Sequence, residues 1–233
     1  MKAYHGDPEV KLKYLDRVRA HRKADQLVQG YGYWKHGKGC AVGCTIHDDE
    51  HSSYETQLGI PEFLARLEDG IFEGLSVEDA RLWPEQFLDA IPTGADLSIV
   101  WPRFAHWLLV DPLEGVIRFA KTEAAQDSIT QCGELYKKWI AGDKPSRHEW
   151  LTAKSSTYTY AEDAAAYAAA AAAAAYAAAD AYAAAYAAAA AYAAAYAAAY
   201  AASGTAGAYT KKLARKSQSI KLLQLLSESV TKL

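Results

Sequence analysis

The sequence predicts an all-α protein. Three observations carry this. Apolar residues recur at helical spacing through most of the first 150 residues, capping signals precede several of those runs, and residues 161–202 are almost pure alanine. Alanine is the strongest helix former, and that stretch contains neither glycine nor proline. No convincing strand pattern appears. The one alternating run, Gly115-Val116-Ile117-Arg118-Phe119, is equally compatible with helix.

Taken in order, Asp7 and Pro8 suit an N-cap and a first helical position, and the stripe Val10, Tyr14, Leu15, Val18, Leu27 predicts a helix from Asp7 to Gln29, closed by Gly30. Residues 31–59 form an irregular segment rich in Gly, His and Cys. Pro61 opens a helix to Phe72. Ser76 with Asp79 forms a capping box before a short helix, and Pro84 opens another carrying Phe87 and Leu88. From Asp96, the stripe Leu97, Val100, Trp101, Phe104, Trp107, Leu108 predicts a helix kinked at Pro102. Gln126 to Ala141 carries Ile129, Cys132, Leu135, Tyr136, Trp139 and Ile140 on one face, and Ser146 with Glu149 repeats the capping box. After the turn at Ser203-Gly204-Thr205-Ala206-Gly207, a terminal amphipathic helix presents Leu213, Ile220, Leu223 and Leu226. The chain thus divides into a helical domain, 1–150, and an Ala/Tyr-rich region with the terminal helix, 151–233.

As one straight helix, residues 161–202 would extend about 63 Å. A compact domain of the remaining size has a radius of gyration near ~15 Å, so the stretch must protrude, pair in a homo-oligomer, or break. Asp180, a good N-cap, marks the break expected for a hairpin. Six of its tyrosines (Tyr167, Tyr182, Tyr186, Tyr192, Tyr196, Tyr200) fall within about 120° of one another, a packing face, while Tyr176 lies opposite.

A net charge of −3 and the lack of a long basic run argue against a broad nucleic-acid surface. The first residues contain no apolar segment of the secretory kind, and three cysteines do not fit a secreted disulfide scaffold, so a cytoplasmic setting is expected. Alanine is too weakly apolar, and the tyrosines too central, for residues 161–202 to read as a membrane span.

Chemistry concentrates in the segment from Tyr31 to His51. Gly32, four residues, then Gly37-Lys38 match a phosphate loop up to its last position, where Gly39 replaces the hydroxyl residue that would hold Mg²⁺. No buried strand precedes it, because Leu27-Val28-Gln29 reads as the end of a helix. What survives is an anion cradle of glycine amides with Lys35, His36 and Lys38, beside Tyr31, Tyr33 and Trp34 for stacking. Cys40, Cys44, His47 and His51 have the side chains of a zinc site, but along one straight helix they would span about 16 Å, too far for one ion. Cys40, near His36 and Lys38, is a candidate nucleophile with His5, His106 or His148 as base. The plainer alternative makes Cys40 and Cys44 small buried residues of a tight turn, and Cys132 a core residue.

The blocks Lys38-Gly39-Cys40-Ala41-Val42-Gly43-Cys44-Thr45-Ile46-His47 and Tyr54-Glu55-Thr56-Gln57-Leu58-Gly59-Ile60-Pro61, with the trailing Ala/Tyr repeat, resemble bacterial and phage proteins that share them. The second half is also distantly similar to bacterial putative immunity proteins. The resemblance transfers no catalytic residue and implies a setting of conflict between phage and host. Three functions are therefore weighed: capture of a small phosphate-bearing, nucleotide-like ligand without catalysis or cofactor; an enzyme with Cys40 as nucleophile; and a protein-binding immunity or decoy module acting through the Ala/Tyr helices. The first expects the turn near residue 35 to face a hollow.

Overall fold

The computed structural model describes residues 1–32, 34–158 and 208–231. Tyr33 and the Ala/Tyr stretch lie outside the described residues, as do the expected hairpin at Asp180, the oligomer-forming helices and the decoy surface built on them. The chain is all-α: nine α-helices and one two-stranded hairpin are found among the described residues. Their contacts define two compact units, one drawn from Met1–Val100 and Ser219–Leu233, the other from Trp101–Gln218.

In the first unit, α1 (Pro8–Lys23) starts where Asp7 accepts a hydrogen bond from the Glu9 amide, and buries Tyr14, Leu15 and Val18. It ends earlier than its apolar pattern suggests. Asp25 adopts a left-handed conformation, and Leu27 then pairs with Gly39 as an isolated bridge. Leu27 is buried as an extended residue, not on a helical stripe. The hairpin strands β1 (Trp34–Lys35) and β2 (Lys38–Gly39) follow. Then come α2 (Ala41–Ile46), α3 (Ser53–Leu58), α4 (Glu62–Gly74) and α5 (Val77–Ala90).

The Ser76 hydroxyl caps α5 by accepting from the Asp79 amide. Proline at position 84 does not open a second helix. It sits buried inside the continuous α5, between Trp83 and Phe87, where burial of those aromatics offsets the lost backbone hydrogen bond. Helix α1 packs on α5 and α2, and α2 on α4 and α5. The core between them holds Leu64, Leu67, Ile71, Phe72, Trp83, Phe87 and Leu88.

The second unit centres on α6 (Val100–Val110), α7 (Glu123–Ile140) and α8 (Arg147–Tyr158). Pro102 falls in the first turn of α6, where a missing amide costs nothing, so the expected kink is replaced by a helix start. The run after Gly115 is a 3-10 turn, Val116–Phe119. The Ser146–Glu149 box closes in both directions: the Ser146 amide donates to Glu149 Oε2 at 2.8 Å and the Glu149 amide to Ser146 Oγ at 3.3 Å. The Ser146 amide and then its hydroxyl, both donating to the carboxylate, hold the Glu149 carboxyl down to about 2. Tyr136 of α7 anchors an aromatic cluster, with ring centroids 4.7 Å from Trp150 and 6.1 Å from Trp101. Cys132 is fully buried, and burial raises its thiol to about 12.

The terminal helix α9 (Ala208–Ser227) differs in phase from its expected stripe. Leu213 and Ile220 are exposed, whereas Arg215, Gln218, Ser219, Leu222, Leu225 and Leu226 are buried. Arg215 donates to Gln218 Oε1 at 2.9 Å, so a charged side chain occupies a face that apolar spacing alone could not reveal. No helix among the described residues is long and apolar enough to cross a membrane.

Candidate functional site

The site is built around the hairpin. His36 and Gly37 both have positive φ, 53° and 76°, the pattern of a two-residue turn matched to strand twist. Trp34 then lies opposite Gly39 and Lys35 opposite Lys38. The hairpin is tied to the chain leaving α1. Val28 donates to the Gly39 carbonyl at 2.9 Å, and Gly39 to the Gln26 carbonyl at 3.1 Å. Lys35, His36 and Lys38 are exposed and Trp34 is half-buried.

Like charges directly opposite on a hairpin repel. Among the described residues no acid pairs with Lys35 or Lys38 to relieve this. The tip is therefore a concentrated, uncompensated positive charge.

Beneath it, Trp34 stacks on His47, with centroids 4.2 Å apart and planes 16° from parallel. His21, from the last turn of α1, meets both rings edge-on, 5.2 Å from Trp34 and 4.9 Å from His47. His47 occupies the left-handed C-cap of α2, φ 57°, which turns its ring back towards α1. Its Nε2 lies 2.7 Å from His21 Nε2, while His21 Nδ1 lies 2.6 Å from Gln26 Oε1. The Gln26 oxygen can only accept, so His21 carries its proton on Nδ1 and its Nε2 accepts from His47. Burial, then the charge of Arg17, lowers the His47 pKa. Arg17 lies over the Tyr14 ring and donates to the Thr45 carbonyl at 2.9 Å.

Cys40 is the N-cap of α2, its sulfur accepting from the Gly43 amide at 3.5 Å. It is 2% exposed. Burial, and after it the Asp69 carboxylate, pushes its thiol far above the usual range. A thiol held protonated and shielded is a poor nucleophile, and His36, expected nearby as an activating charge, is exposed on the hairpin turn. His5 lies elsewhere, its Nε2 3.2 Å from the Thr56 carbonyl oxygen. His106 and His148 belong to the second unit. Cys44 is likewise buried and raised to about 12. Its thiol donates to the Gln26 and Gly39 carbonyls.

The proposed metal set separates. Cys40 and Cys44 face the interior, His47 faces His21, and the nearly buried His51 lies 3.7 Å from Asp69 Oδ2. Among the described residues, no three or more His, Cys, Asp or Glu side chains converge to hold an ion. Below α2 lies a buried polar layer: the Tyr54 hydroxyl donates to Glu68 Oε2 at 2.6 Å, and Trp83 Nε1 to the Glu68 carbonyl at 2.9 Å.

A cavity of about 230 Å³ is lined by Leu27, Val28, Gln29, Phe72, Val77, Ala80 and Arg81, not by the hairpin's aromatic and cationic residues. The structure thus groups Trp34, Lys35, His36 and Lys38 on one hairpin and adds His21, Gln26 and His47, of which sequence reading missed the first two. Their signal was the position of His21 four residues after Arg17 at the basic end of a helix. No family model matches the chain, and no curated protein or solved structure matches it.

Proposed function

We propose that this chain is a non-enzymatic binding protein that captures a small phosphate-bearing, nucleotide-like ligand at the β1–β2 hairpin. The observation that carries the reading is the Lys35–Lys38 pair, placed face to face across a tight turn with no acid partner among the described residues. That arrangement costs the free protein stability, and an anion bound between the two ammonium groups removes the cost. The Trp34–His47 stack beside it supplies an aromatic edge for a base or sugar. The shielded thiols favour binding over cysteine chemistry. Because the tip is exposed, the ligand rests on the hairpin and is not enclosed by it. The resemblance to bacterial and phage proteins makes sequestration of a nucleotide signal the natural setting.

The test is calorimetry of the full chain, in EDTA, against cyclic nucleotides and ADP-ribose derivatives. Saturable binding that disappears in the Lys35→Ala/Lys38→Ala double variant is expected. No heat at millimolar ligand would end the proposal.

A further inference from the structure

Side chains of α1 and of the α2 C-cap meet beneath the hairpin through one shared proton. We propose that the His21–His47 hydrogen bond is a pH-operated latch. It is closed while at least one ring is neutral and opens when both are protonated, which frees the Trp34–His47 stack, and the hairpin tip with it, from the end of α1. The two Nε2 atoms meet head-on at 2.7 Å, so one must carry hydrogen and the other must offer a lone pair. A first proton leaves one lone pair and keeps the bond. A second puts hydrogen on both Nε2 atoms and positive charge on both rings, and the contact becomes repulsive. The rings therefore titrate as a pair, and the latch follows the second step.

Each ring keeps another partner once the bond is lost, which decides where the break falls. His21 Nδ1–H still donates to Gln26 Oε1 at 2.6 Å. Protonated His47 still lies against the face of Trp34, where an aromatic ring attracts a cation. The gap thus opens at the edge contacts of His21 with His47 and Trp34. His47 is the C-cap of α2, and a helix terminus is where a few backbone torsions can absorb such a movement. The base of the hairpin stays in place, held by the Gly39 amide on the Gln26 carbonyl and by the Cys44 thiol.

The surrounding charges set the direction. Helix α1 brings Arg17, held on the Thr45 carbonyl, with Arg22 and Lys23 beside His21. The hairpin brings Lys35, His36 and Lys38. The acids near them are engaged elsewhere: Asp25 with Arg81, Asp48 with the Ser53 hydroxyl, and Glu85 of α5 with Arg19 and Arg22. From α4, Glu68 meets Tyr54 and Asp69 faces His51 and Cys40. Asp49 is exposed. Among the described residues no acid acts on His47; burial and then Arg17 lower its pKa, which places the opening below the ordinary histidine value of 6.5. Neutral His47 thus contributes stability that is present above its unfolded value and lost as pH falls through the folded one. His47 is exposed and His21 half-buried, so protons reach both. The latch does not depend on the phosphate reading, since no ligand enters it.

The experiment is NMR of the full chain without ligand, titrated from about pH 8 to about pH 4.5, across the histidine range. Ring resonances of His21, His47 and Trp34 are assigned by their loss in His21→Gln, His47→Asn and Trp34→Phe; asparagine tolerates the left-handed cap. Cross-peaks from the His21 ring to the Trp34 and His47 rings are expected at neutral pH. They should vanish as the second ring protonates, while Trp34–His47 cross-peaks remain. In His47→Asn the Trp34 resonances should lose their pH dependence, and in His36→Ala, on the exposed turn, the full transition should persist. Circular dichroism checks that each protein is folded throughout. Cross-peaks from His21 to Trp34 that survive protonation of both rings would overturn the latch. So would a pair that never takes the second proton before the protein unfolds, or an undiminished Trp34 transition in folded His47→Asn.

Discussion

Replacing Lys38 with glutamate should stabilise the protein and destroy its ligand binding together. In the wild type, Lys35 and Lys38 are direct cross-strand partners beside the His36–Gly37 turn. A cross-strand charge pair is worth about 0.2–1 kcal/mol, favourable for opposite signs and unfavourable for like ones. Lys38→Glu turns the one into the other, so the unscreened gain is about 0.4–2 kcal/mol. Both side chains are exposed, and solvent screening reduces this to about 0.5 kcal/mol. Binding moves the other way. A charge-assisted hydrogen bond contributes about 1.5–3 kcal/mol, and its loss weakens affinity about 10- to 150-fold before the repulsion of the new carboxylate is added.

The paired measurements are urea unfolding midpoints and calorimetry with the tightest ligand of the nucleotide panel. Stability is read at low and high salt, because the gain should shrink as salt screens it. A variant that gains stability but binds with wild-type affinity would show the lysines to be ordinary solvated side chains. One that loses stability would show that the pair does not repel, and the argument for an anion site would fail with it.

Three further outcomes follow from the buried groups. All three thiols are buried and protonated, so iodoacetamide at neutral pH should modify Cys40, Cys44 and Cys132 equally slowly in the native state and rapidly in urea; fast, selective labelling of Cys40 would revive a nucleophile. Burial, and secondarily the charge of Asp69, raises the folded-state pKa of Glu68 well above its unfolded value, the Tyr54 hydrogen bond opposing. Its stabilisation is therefore full below the unfolded carboxyl pKa and is lost as pH rises through the folded one. Glu68→Gln, always neutral, should gain stability relative to wild type as pH increases from 4 to 9, and a pH-independent difference in denaturation midpoint would refute this. Gly59 has φ 62°, and an added Cβ would strike the Lys2 carbonyl oxygen. Gly59→Ala should cost more than about 1 kcal/mol, read as a lowered melting temperature, and an unchanged melt would show that this contact yields freely.

Helices were legible wherever a local rule decided them. Asp7, Ser76 and Ser146 each act within three residues of themselves, and their caps form as the sequence implies. The failures share a cause, because each turned on a tertiary partner. Leu27 looked helical until Gly39 claimed the adjoining backbone, and Pro84 looked like a helix start until Trp83 and Phe87 buried the turn around it. In α9, leucine spacing misplaced the buried face because Arg215, Gln218 and Ser219 share it. The segment where glycine, lysine and aromatic residues concentrate in the sequence is the one that folds into the hairpin. The hairpin was missed because its strands are two residues each, shorter than any alternation can mark.

The cysteines join these two halves of the reading. The Cys44 thiol spans the Gln26 and Gly39 carbonyls, and Cys40 caps the helix that begins where β2 ends. They therefore fix the hairpin against the end of α1 from beneath, while Lys35 and Lys38 are exposed on it. Gln26 belongs to the same junction: its backbone carbonyl receives Gly39 and its side chain aims His21. A hairpin of four strand residues has too little surface of its own to hold a like-charged pair together. It persists here because buried thiols and a parallel bridge anchor its base. The sulfur atoms that resembled reactive chemistry in the sequence thus serve as the mounting of the hairpin, and the Lys35–Lys38 charge pair is what they hold in place.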